Sequence, residues 1–319
     1  MRLRPTGMLA AAMLLFCSLS PAKDKKKDPN EIGNRDVGKG LNIYSIEKEM
    51  ALGKQLAEEV RRQSKLLDDP TVGEYVNRLG QNLVRNSDAT IPFTFEVVEG
   101  DQLNAFALPG GFVFVFTGLI EAAETEAELA GAMAHEIAHV AARHITRQET
   151  RGKIAELVSL PLILMGGWTG AIARQGAGIG IPLGFLSFSR GFESEADMLG
   201  LQYMYKAGYD PTASIDLFER MLSLEKRKPG TIAKVFNTHP MTEDRILKTQ
   251  KNIAQMLPSR PEFVVTTSEF NEVREKLMSR YVRRKGDDPN RPRLRKTPSA
   301  APADDSDEKP TLKRRDLAE

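Results

Sequence analysis

The chain has 319 residues, of which 45 are lysine or arginine and 43 are aspartate or glutamate. This length suits one large domain with tails, since single hydrophobic cores stop growing at roughly 250–300 residues. The formal net charge is only +2, so the composition argues against a nucleic-acid partner, which would need a strongly basic surface.

Residues 1–22 have the pattern of a cleaved signal peptide. Two arginines precede an apolar run that ends at Cys17, and small residues follow up to Ala22. We therefore expect export across the inner membrane to the periplasm, with cleavage after Ala22. The alternatives are an uncleaved membrane anchor and lipidation of Cys17, although Phe16 stands where lipoprotein signals carry a small residue.

The remaining chain divides by composition into three parts. Residues 23–42 are mostly charged or polar and predict a flexible linker, because they cannot bury a core. Residues 43–285 form the predicted folded domain. Residues 286–319 are rich in proline and charge and predict a disordered tail. Because Cys17 is the only cysteine, the processed chain would have no thiol nucleophile, thiolate metal site or disulfide.

The folded domain has the pattern of a mainly helical α+β protein. Apolar residues at helical spacing predict amphipathic helices over residues 45–62 and 70–84. Alternating apolar residues predict strands over 93–98, 104–108 and 112–116, which would form a small antiparallel sheet. A capping-box pattern at Thr125 and Glu128 predicts the start of a helix that runs to about Gln148. Further helices are predicted over residues 187–206, 211–226, 242–256 and 268–281.

An apolar stretch over residues 154–185 is broken by several glycines and two prolines. These breaks and Arg174 leave no uninterrupted apolar helix of about 20 residues, which argues against a membrane span. We expect a mobile cover over an active site. The alternative is peripheral contact of residues 154–186 with a membrane.

The strongest functional pattern is His135-Glu136-Ile137-Ala138-His139 on the helix predicted after Thr125. Helix positions four apart share a face, so both imidazoles can reach one zinc ion while Glu136 lies beside them as a general base. A catalytic zinc site also needs a third protein ligand and one open position.

Glu193 is the predicted third ligand. His144 is nine residues from His135, which on a continuous helix places it about 180° around the axis, where it would only hydrogen-bond locally. A metzincin has glycine and histidine where this chain has Ala142 and Ile145, so that class is excluded.

Two acidic residues follow Glu193 on the same predicted helix. Asp197 lies one turn further on, where it could accept the outer N–H of a ligand histidine. Glu195 is two residues on, about 200° around the axis, and is predicted to face solvent.

Four ordered motifs resemble the soluble, HtpX/BepA-like envelope branch of peptidase family forty-eight, which are gluzincin-type zinc metallopeptidases. The resemblance covers roughly residues 43–253. The motifs are Asn104-Ala105-Phe106-Ala107-Leu108-Pro109-Gly110-Gly111, His135 to His144, Phe192 to Asp197, and Thr238-His239-Pro240 followed by Arg245.

The resemblance implies a zincin-type metallopeptidase domain with one zinc ion per chain. The family's ligands fall on His135, His139 and Glu193, its base on Glu136 and its supporting aspartate on Asp197, as the spacing already indicated. The resemblance alone adds His239 as a switch or oxyanion stabiliser, with Arg245 nearby. Without the resemblance, the sequence would equally favour His239 as an ordinary loop residue before a helix-opening proline.

The predicted activity is hydrolysis of polypeptide substrates, in particular unfolded or misassembled envelope proteins, as a form of protein quality control. Residues Asn104, Ala105, Phe106 and Ala107 would bind an extended substrate by strand addition. The alternatives are a zinc-containing chaperone or scaffold with little proteolysis and a membrane-embedded processing enzyme. Some relatives carry a tetratricopeptide array, and we do not expect one here.

Overall fold

The computed structural model describes residues 25–165, 188–227, 239 and 242–286. The predicted signal peptide (1–22), the predicted tail beyond residue 286 and residues 166–185 of the predicted cover lie outside this part. The chain divides into two units, Met1–Met278 and Ser279–Glu319, and the described residues of the second form the end of one helix. Within the described part, no helix combines the length and apolar character that a membrane span requires.

The described part of the chain forms nine α-helices and three β-strands, which is the predicted mainly helical α+β class. The helices are α1 (Ile46–Gln63), α2 (Pro70–Arg85), α3 (Thr117–Ala122), α4 (Glu126–Ala141), α5 (His144–Met165), α6 (Arg190–Ala207), α7 (Ala213–Arg227), α8 (Glu243–Met256) and α9 (Ser268–Gly286). The strands are β1 (Thr94–Val98), β2 (Ala105–Leu108) and β3 (Phe112–Phe116). The short helix α3 was not predicted.

The sheet is mixed, so the prediction of an antiparallel sheet was wrong for one of its two pairings. Its order is β1-β3-β2, with β1 parallel to β3 and β2 antiparallel to β3. The prediction assumed that strands adjacent in sequence are adjacent in space, but β3 takes the central position between the other two. As a result β2 is an edge strand of the described sheet.

The turn between β2 and β3 also anchors helix α1. Gly110 and Gly111 have φ of +77° and +89°, a conformation that costs glycine little. Gly53 of α1 packs directly on this turn, where an added Cβ would lie 1.6 Å from the carbonyl oxygen of Pro109. This contact holds α1 against the sheet.

Helix α4 runs through the centre of the domain. All but two of its residues are buried, and it packs against α2, α6, α7 and β2. The side-chain oxygen of Thr125 accepts a hydrogen bond from the backbone N–H of Glu128, which confirms the predicted N-terminus. A helix buried on every side is rigid, so it holds its side chains in fixed positions.

Helix α4 ends earlier than predicted. It stops at Ala141, Arg143 has a left-handed φ of +56°, and α5 begins at His144. The Arg143 side chain donates to Glu49 at 2.7 Å and to the carbonyl oxygen of Tyr44 at 2.8 Å. These bonds offset the roughly 1–2 kcal/mol that a left-handed residue costs. The predicted helix to Gln148 was therefore wrong, because contacts distant in sequence break it.

The prediction of a flexible linker over 23–42 is wrong for residues 25–42, which pack on the domain. Two short 3-10 helices, Lys25–Lys27 and Pro29–Glu31, precede Arg35. The Arg35 guanidinium lies 2.8 Å from the carboxylate of Asp88, with side chains only 2% and 1% exposed. Composition suggested disorder because the segment has few apolar residues, but a buried ion pair fixes it instead.

Candidate active site

The predicted zinc ligands lie together between two helices. His135 and His139 are on α4, and Glu193 is in the first turn of α6, which the side chain of Ser189 caps. The Nε2 atoms of the two histidines are 3.0 Å apart. Oε2 of Glu193 lies 3.5 Å from Nε2 of His135, and Oε1 lies 3.5 Å from Nε2 of His139. With an atom of His239, these potential ligand atoms all lie within 4.8 Å of one another.

The charges around this cluster favour a cation. Burial alone would lower the pKa of His135, but the carboxylates of Asp197 and Glu193, which stabilise the protonated ring, outweigh it and raise the pKa to about 10. Burial would raise the pKa of Glu193, yet the neighbouring imidazoles, His239 foremost, hold it below its usual range. Burial lowers the pKa of His139 well below its usual value, which keeps its ring neutral.

The donor set fits zinc. Two imidazole nitrogens and one carboxylate are ligands that zinc prefers, and three protein ligands leave one position open for chemistry. Oε2 of Glu193 is buried and has no hydrogen bond to any described residue, although Nη1 of Arg245 lies 3.0 Å away. A buried carboxylate oxygen in that state suits a metal ligand.

Glu136 lies next to the cluster and against the edge strand. Its Oε2 atom accepts a hydrogen bond of 3.0 Å from the backbone N–H of Ala107 in β2. Burial raises the pKa of Glu136, and the charges of His239 and His135 act in the opposite direction. The carboxylate is therefore held in one orientation and is more basic than an exposed one.

Asp197 connects the cluster to Arg245. Its Oδ1 atom lies 3.0 Å from Nδ1 of His135, although that nitrogen makes no hydrogen bond of good geometry. Arg245 on α8 donates two hydrogen bonds to Asp197, at 2.9 and 2.7 Å. Burial would raise the pKa of Asp197, but the charge of Arg245 lowers it, so the carboxylate stays ionised.

His239 reaches the cluster from the segment between α7 and α8. Its Nδ1 atom lies 2.9 Å from Oε1 of Glu193 and 3.3 Å from Nε2 of His135. Its Nε2 atom lies 3.4 Å from Oε1 of Glu136. His239 therefore contacts both a predicted ligand and the predicted base.

The residues predicted to bind substrate do not all face the cluster. Asn104 and Ala105 line a cleft beside His135 and Glu136. The side chain of Phe106 points elsewhere, because its ring stacks on Phe114 of β3 with centroids 5.2 Å apart. A strand places successive side chains on opposite faces, so only alternate residues of β2 can border the cleft.

The positions predicted for two polar residues near the cluster were wrong. His144 is fully buried, and its Nδ1 atom lies 3.0 Å from Nδ1 of His139, not on the opposite side of a continuous helix. Glu195 does not face solvent, because it lies 3.1 Å from Nε2 of His144 and 2.8 Å from Nζ of Lys26. The break at Arg143 and the packed N-terminal segment explain both errors, and neither is visible in local spacing.

The cleft beside the cluster has an apolar side that was also not predicted. It is an open cleft, and its volume of about 470 Å³ includes space continuous with solvent. Its apolar lining comprises Leu103, Leu119, Ala132, Leu217, Phe218 and Met221. Three of these residues lie on α7, whose amphipathic pattern indicated a helix but not which surface its apolar face would line.

The buried helix carries two histidines four residues apart with a glutamate between them, and a second helix brings a carboxylate beside them. This is the arrangement of a zincin-type metallopeptidase. Residues 70–253 match Peptidase family M48, and the chain belongs to this family of zinc-dependent metallopeptidases. The match confirms the family resemblance inferred from its motifs.

Similar proteins include bacterial and mitochondrial members of the family. The chain is 33% identical over 232 residues to the beta-barrel assembly-enhancing protease of Yersinia pestis, covering 70% of this chain and 48% of that protein. It is 31% identical over 248 residues to the protein of that name from Escherichia coli K12, with 75% and 50% covered. It is 32% identical over 178 residues to the mitochondrial metalloendopeptidase OMA1 of Schizosaccharomyces pombe, with 56% and 52% covered. The chain thus spans about half the length of these relatives.

Proposed function

We propose that this chain hydrolyses peptide bonds, with one zinc ion held by His135, His139 and Glu193. The observation that supports this most directly is the convergence of their ligand atoms within 4.8 Å, with Glu136 alongside. When bound, zinc supplies a Lewis acid that polarises a carbonyl group and lowers the pKa of water to about 7.

Glu136 is the proposed general base. It takes the proton of the attacking water and passes it to the leaving amine, and its pKa, raised by burial, suits both steps. The N–H of Ala107 holds its carboxylate in place at 3.0 Å. Nε2 of His239 lies 3.4 Å from Oε1 of Glu136, so His239 would either donate to the oxyanion as the carbonyl is attacked or close the site as a fourth zinc ligand.

The proposed substrate lies along the edge of β2. Because the N–H of Ala107 points to Glu136, the backbone groups of Ala105 and Ala107 face away from β3, and those of Phe106 pair with it. An extended peptide could therefore bond to Ala105 and to the carbonyl oxygen of Ala107 by strand addition. This mode reads the backbone and requires an unfolded segment.

The apolar cleft defined above provides the proposed side-chain selectivity. It adjoins His135 and Glu136, so a substrate residue next to the scissile bond would place its side chain there. Apolar side chains are exposed in unfolded and misassembled proteins but are buried in compact ones. Both the edge strand and the cleft therefore support unfolded polypeptides as substrates.

Periplasmic quality control is the proposed biological setting. It rests on the signal-peptide pattern of residues 1–22 and on the similarity to beta-barrel assembly-enhancing proteases. The substrates would be misassembled envelope proteins.

Casein cleavage tests the activity. The purified wild-type chain and Glu136→Gln are compared after one zinc per chain has been verified in both. We expect cleavage by the wild type, a decrease of roughly 10²–10⁴-fold in Glu136→Gln, and loss of cleavage with a chelator. Equal cleavage by both proteins would exclude Glu136 as the base.

The specificity of the cleft is tested separately with an unstructured peptide library and mass spectrometry. We expect cleavage sites enriched in phenylalanine, leucine or methionine on one side of the scissile bond. Met221→Lys places a charge in the cleft and should reduce that enrichment without changing the zinc content. A cleavage profile unchanged by Met221→Lys would contradict the assignment of the cleft.

A further inference from the structure

The two histidines of the proposed zinc site differ in what their outer nitrogens contact. Nδ1 of His135 lies 3.0 Å from a carboxylate oxygen of Asp197. Nδ1 of His139 lies 3.0 Å from Nδ1 of His144 instead, and Nε2 of His144 lies 3.1 Å from Oε2 of Glu195. An imidazole therefore stands between His139 and the nearest carboxylate on that side.

We propose that His144 and Glu195 are positioning residues, which orient the ring of His139 for zinc through two consecutive hydrogen bonds. This inference rests on the proposed zinc site. A histidine that binds metal through Nε2 carries its proton on Nδ1, and the partner of that N–H fixes the ring. Here the partner is Nδ1 of His144, which must be unprotonated to accept.

The two hydrogen bonds form a relay from His139 through His144 to Glu195. One arrangement of protons gives each of its nitrogen and oxygen atoms a suitable partner. His139 donates its Nδ1–H to His144, and His144 then carries its own proton on Nε2, which it donates to Glu195. The relay thus specifies one tautomer for each imidazole.

Both residues that follow His139 in the relay, His144 and Glu195, are held rigidly. His144 has no exposed surface, and its ring stacks on Phe192 with centroids 4.5 Å apart. Glu195 is fixed by Nζ of Lys26 at 2.8 Å and by Nη1 of Arg147 at 3.4 Å. Rigid outer partners are what a metal site needs to keep its ligands in place.

If His144 only filled space, its contacts with Phe192 would matter but its ring nitrogens would not. Two variants of His144 separate these possibilities. His144→Phe keeps an aromatic ring of similar size and removes both nitrogens. His144→Asn loses the ring but places a carboxamide oxygen about where Nδ1 lies, so it can still accept from His139.

The measurement is the zinc dissociation constant of the full chain, from competition with a chromophoric chelator, with thermal unfolding of the metal-free protein as the control for folding. We expect His144→Phe to bind zinc about 10–100-fold more weakly than the wild type, the range typical of lost outer partners of ligand histidines. His144→Asn should bind more tightly than His144→Phe. Zinc affinity of His144→Phe equal to that of the wild type would overturn the proposal.

A double-mutant cycle with Glu195→Gln tests whether the two residues act as one unit. Glu195→Gln should weaken zinc binding in the wild-type background and have no further effect in the His144→Phe background. Equal effects in both backgrounds would show independent roles and refute the relay. If metal-free His144→Phe fails to fold, the same cycle is made with His144→Asn. In that background Glu195→Gln should again cause no further loss of zinc affinity.

Zinc affinity also separates this inference from the proposed function. A wild-type chain that binds no zinc would overturn the zinc site, and the relay with it. A wild-type chain that binds zinc beside a His144→Phe variant of equal affinity would overturn the relay alone. Neither result depends on a peptide substrate.

Discussion

Nδ1 of His239 lies 2.9 Å from Oε1 of Glu193, the carboxylate that completes the proposed zinc ligand set. Because Nδ1 is also 3.3 Å from Nε2 of His135, His239 is placed to act as a fourth protein ligand. Four protein ligands are typical of structural zinc sites, whereas catalytic sites keep one position open. With His239 bound as a fourth ligand, the proposed zinc site would be closed to substrate.

Removal of His239 should open the site. We expect His239→Ala to retain one zinc per chain and to cleave casein faster than the wild type, because a position becomes free for water and substrate. The measurement is initial cleavage rate at equal zinc content. A slower rate with zinc retained would instead assign His239 to oxyanion stabilisation, where its loss typically costs about 10²–10³-fold.

Replacement of Arg245 should destabilise the metal-free protein. Its guanidinium forms ion pairs with the buried carboxylates of Asp197 and Glu193, so Arg245→Leu removes a cation that both share, and loss of a buried ion-pair partner typically costs about 3–5 kcal/mol. Arg245→Lys is the matched control and should lose less, since it keeps the charge but not the forked geometry. Urea unfolding in the presence of a chelator measures both.

The loss in Arg245→Leu should also depend on pH. Arg245 lowers the folded-state pKa of Asp197. The stability that this ion pair contributes is therefore fully present above the unfolded-state pKa of about 3.9 and is lost as the pH falls through the folded-state pKa. The difference in unfolding free energy between wild type and Arg245→Leu should therefore be largest near neutral pH and decrease toward pH 3. A difference that is constant with pH would contradict this account.

Substitution by alanine should have opposite effects on stability at two helical glycines. In Gly53→Ala the new methyl group would lie 1.6 Å from the carbonyl oxygen of Pro109, so α1 must move off the sheet turn, and we expect a loss of more than about 4 kcal/mol. Gly73 has nothing within 4 Å of an added Cβ, and Gly73→Ala should stabilise α2 by about 0.5–1 kcal/mol. Chemical denaturation of both variants checks the pair, and similar effects at the two sites would contradict the packing described.

The N-terminal segment should contribute to stability through Arg35. Arg35→Ala leaves Asp88 buried without its cation, and we expect a loss of about 3–5 kcal/mol in unfolding free energy. Lys25→Ala is the control, since its ion pair with Glu31 is largely exposed and should contribute little. An Arg35→Ala chain as stable as the wild type would show that residues 25–42 are the flexible linker that composition suggested.

Local spacing in the sequence determined the features that depend on one element at a time. The four-residue interval puts His135 and His139 on one helical face, and the interval from Glu193 to Asp197 does the same on a second helix. The cap at Thr125 and the alternation in each strand are likewise local. These features predicted the proposed ligands, the proposed base and the helices that carry them.

Tertiary structure alone decided the features that join distant parts of the chain. The break after Ala141 depends on bonds from Arg143 to Tyr44 and Glu49, nearly a hundred residues away, which no local propensity can report. The break brings His144 beside His139, and the packed N-terminal segment buries Glu195. The order of the sheet was also hidden, because side-chain alternation shows which face of a strand is buried but not which strand lies beside it.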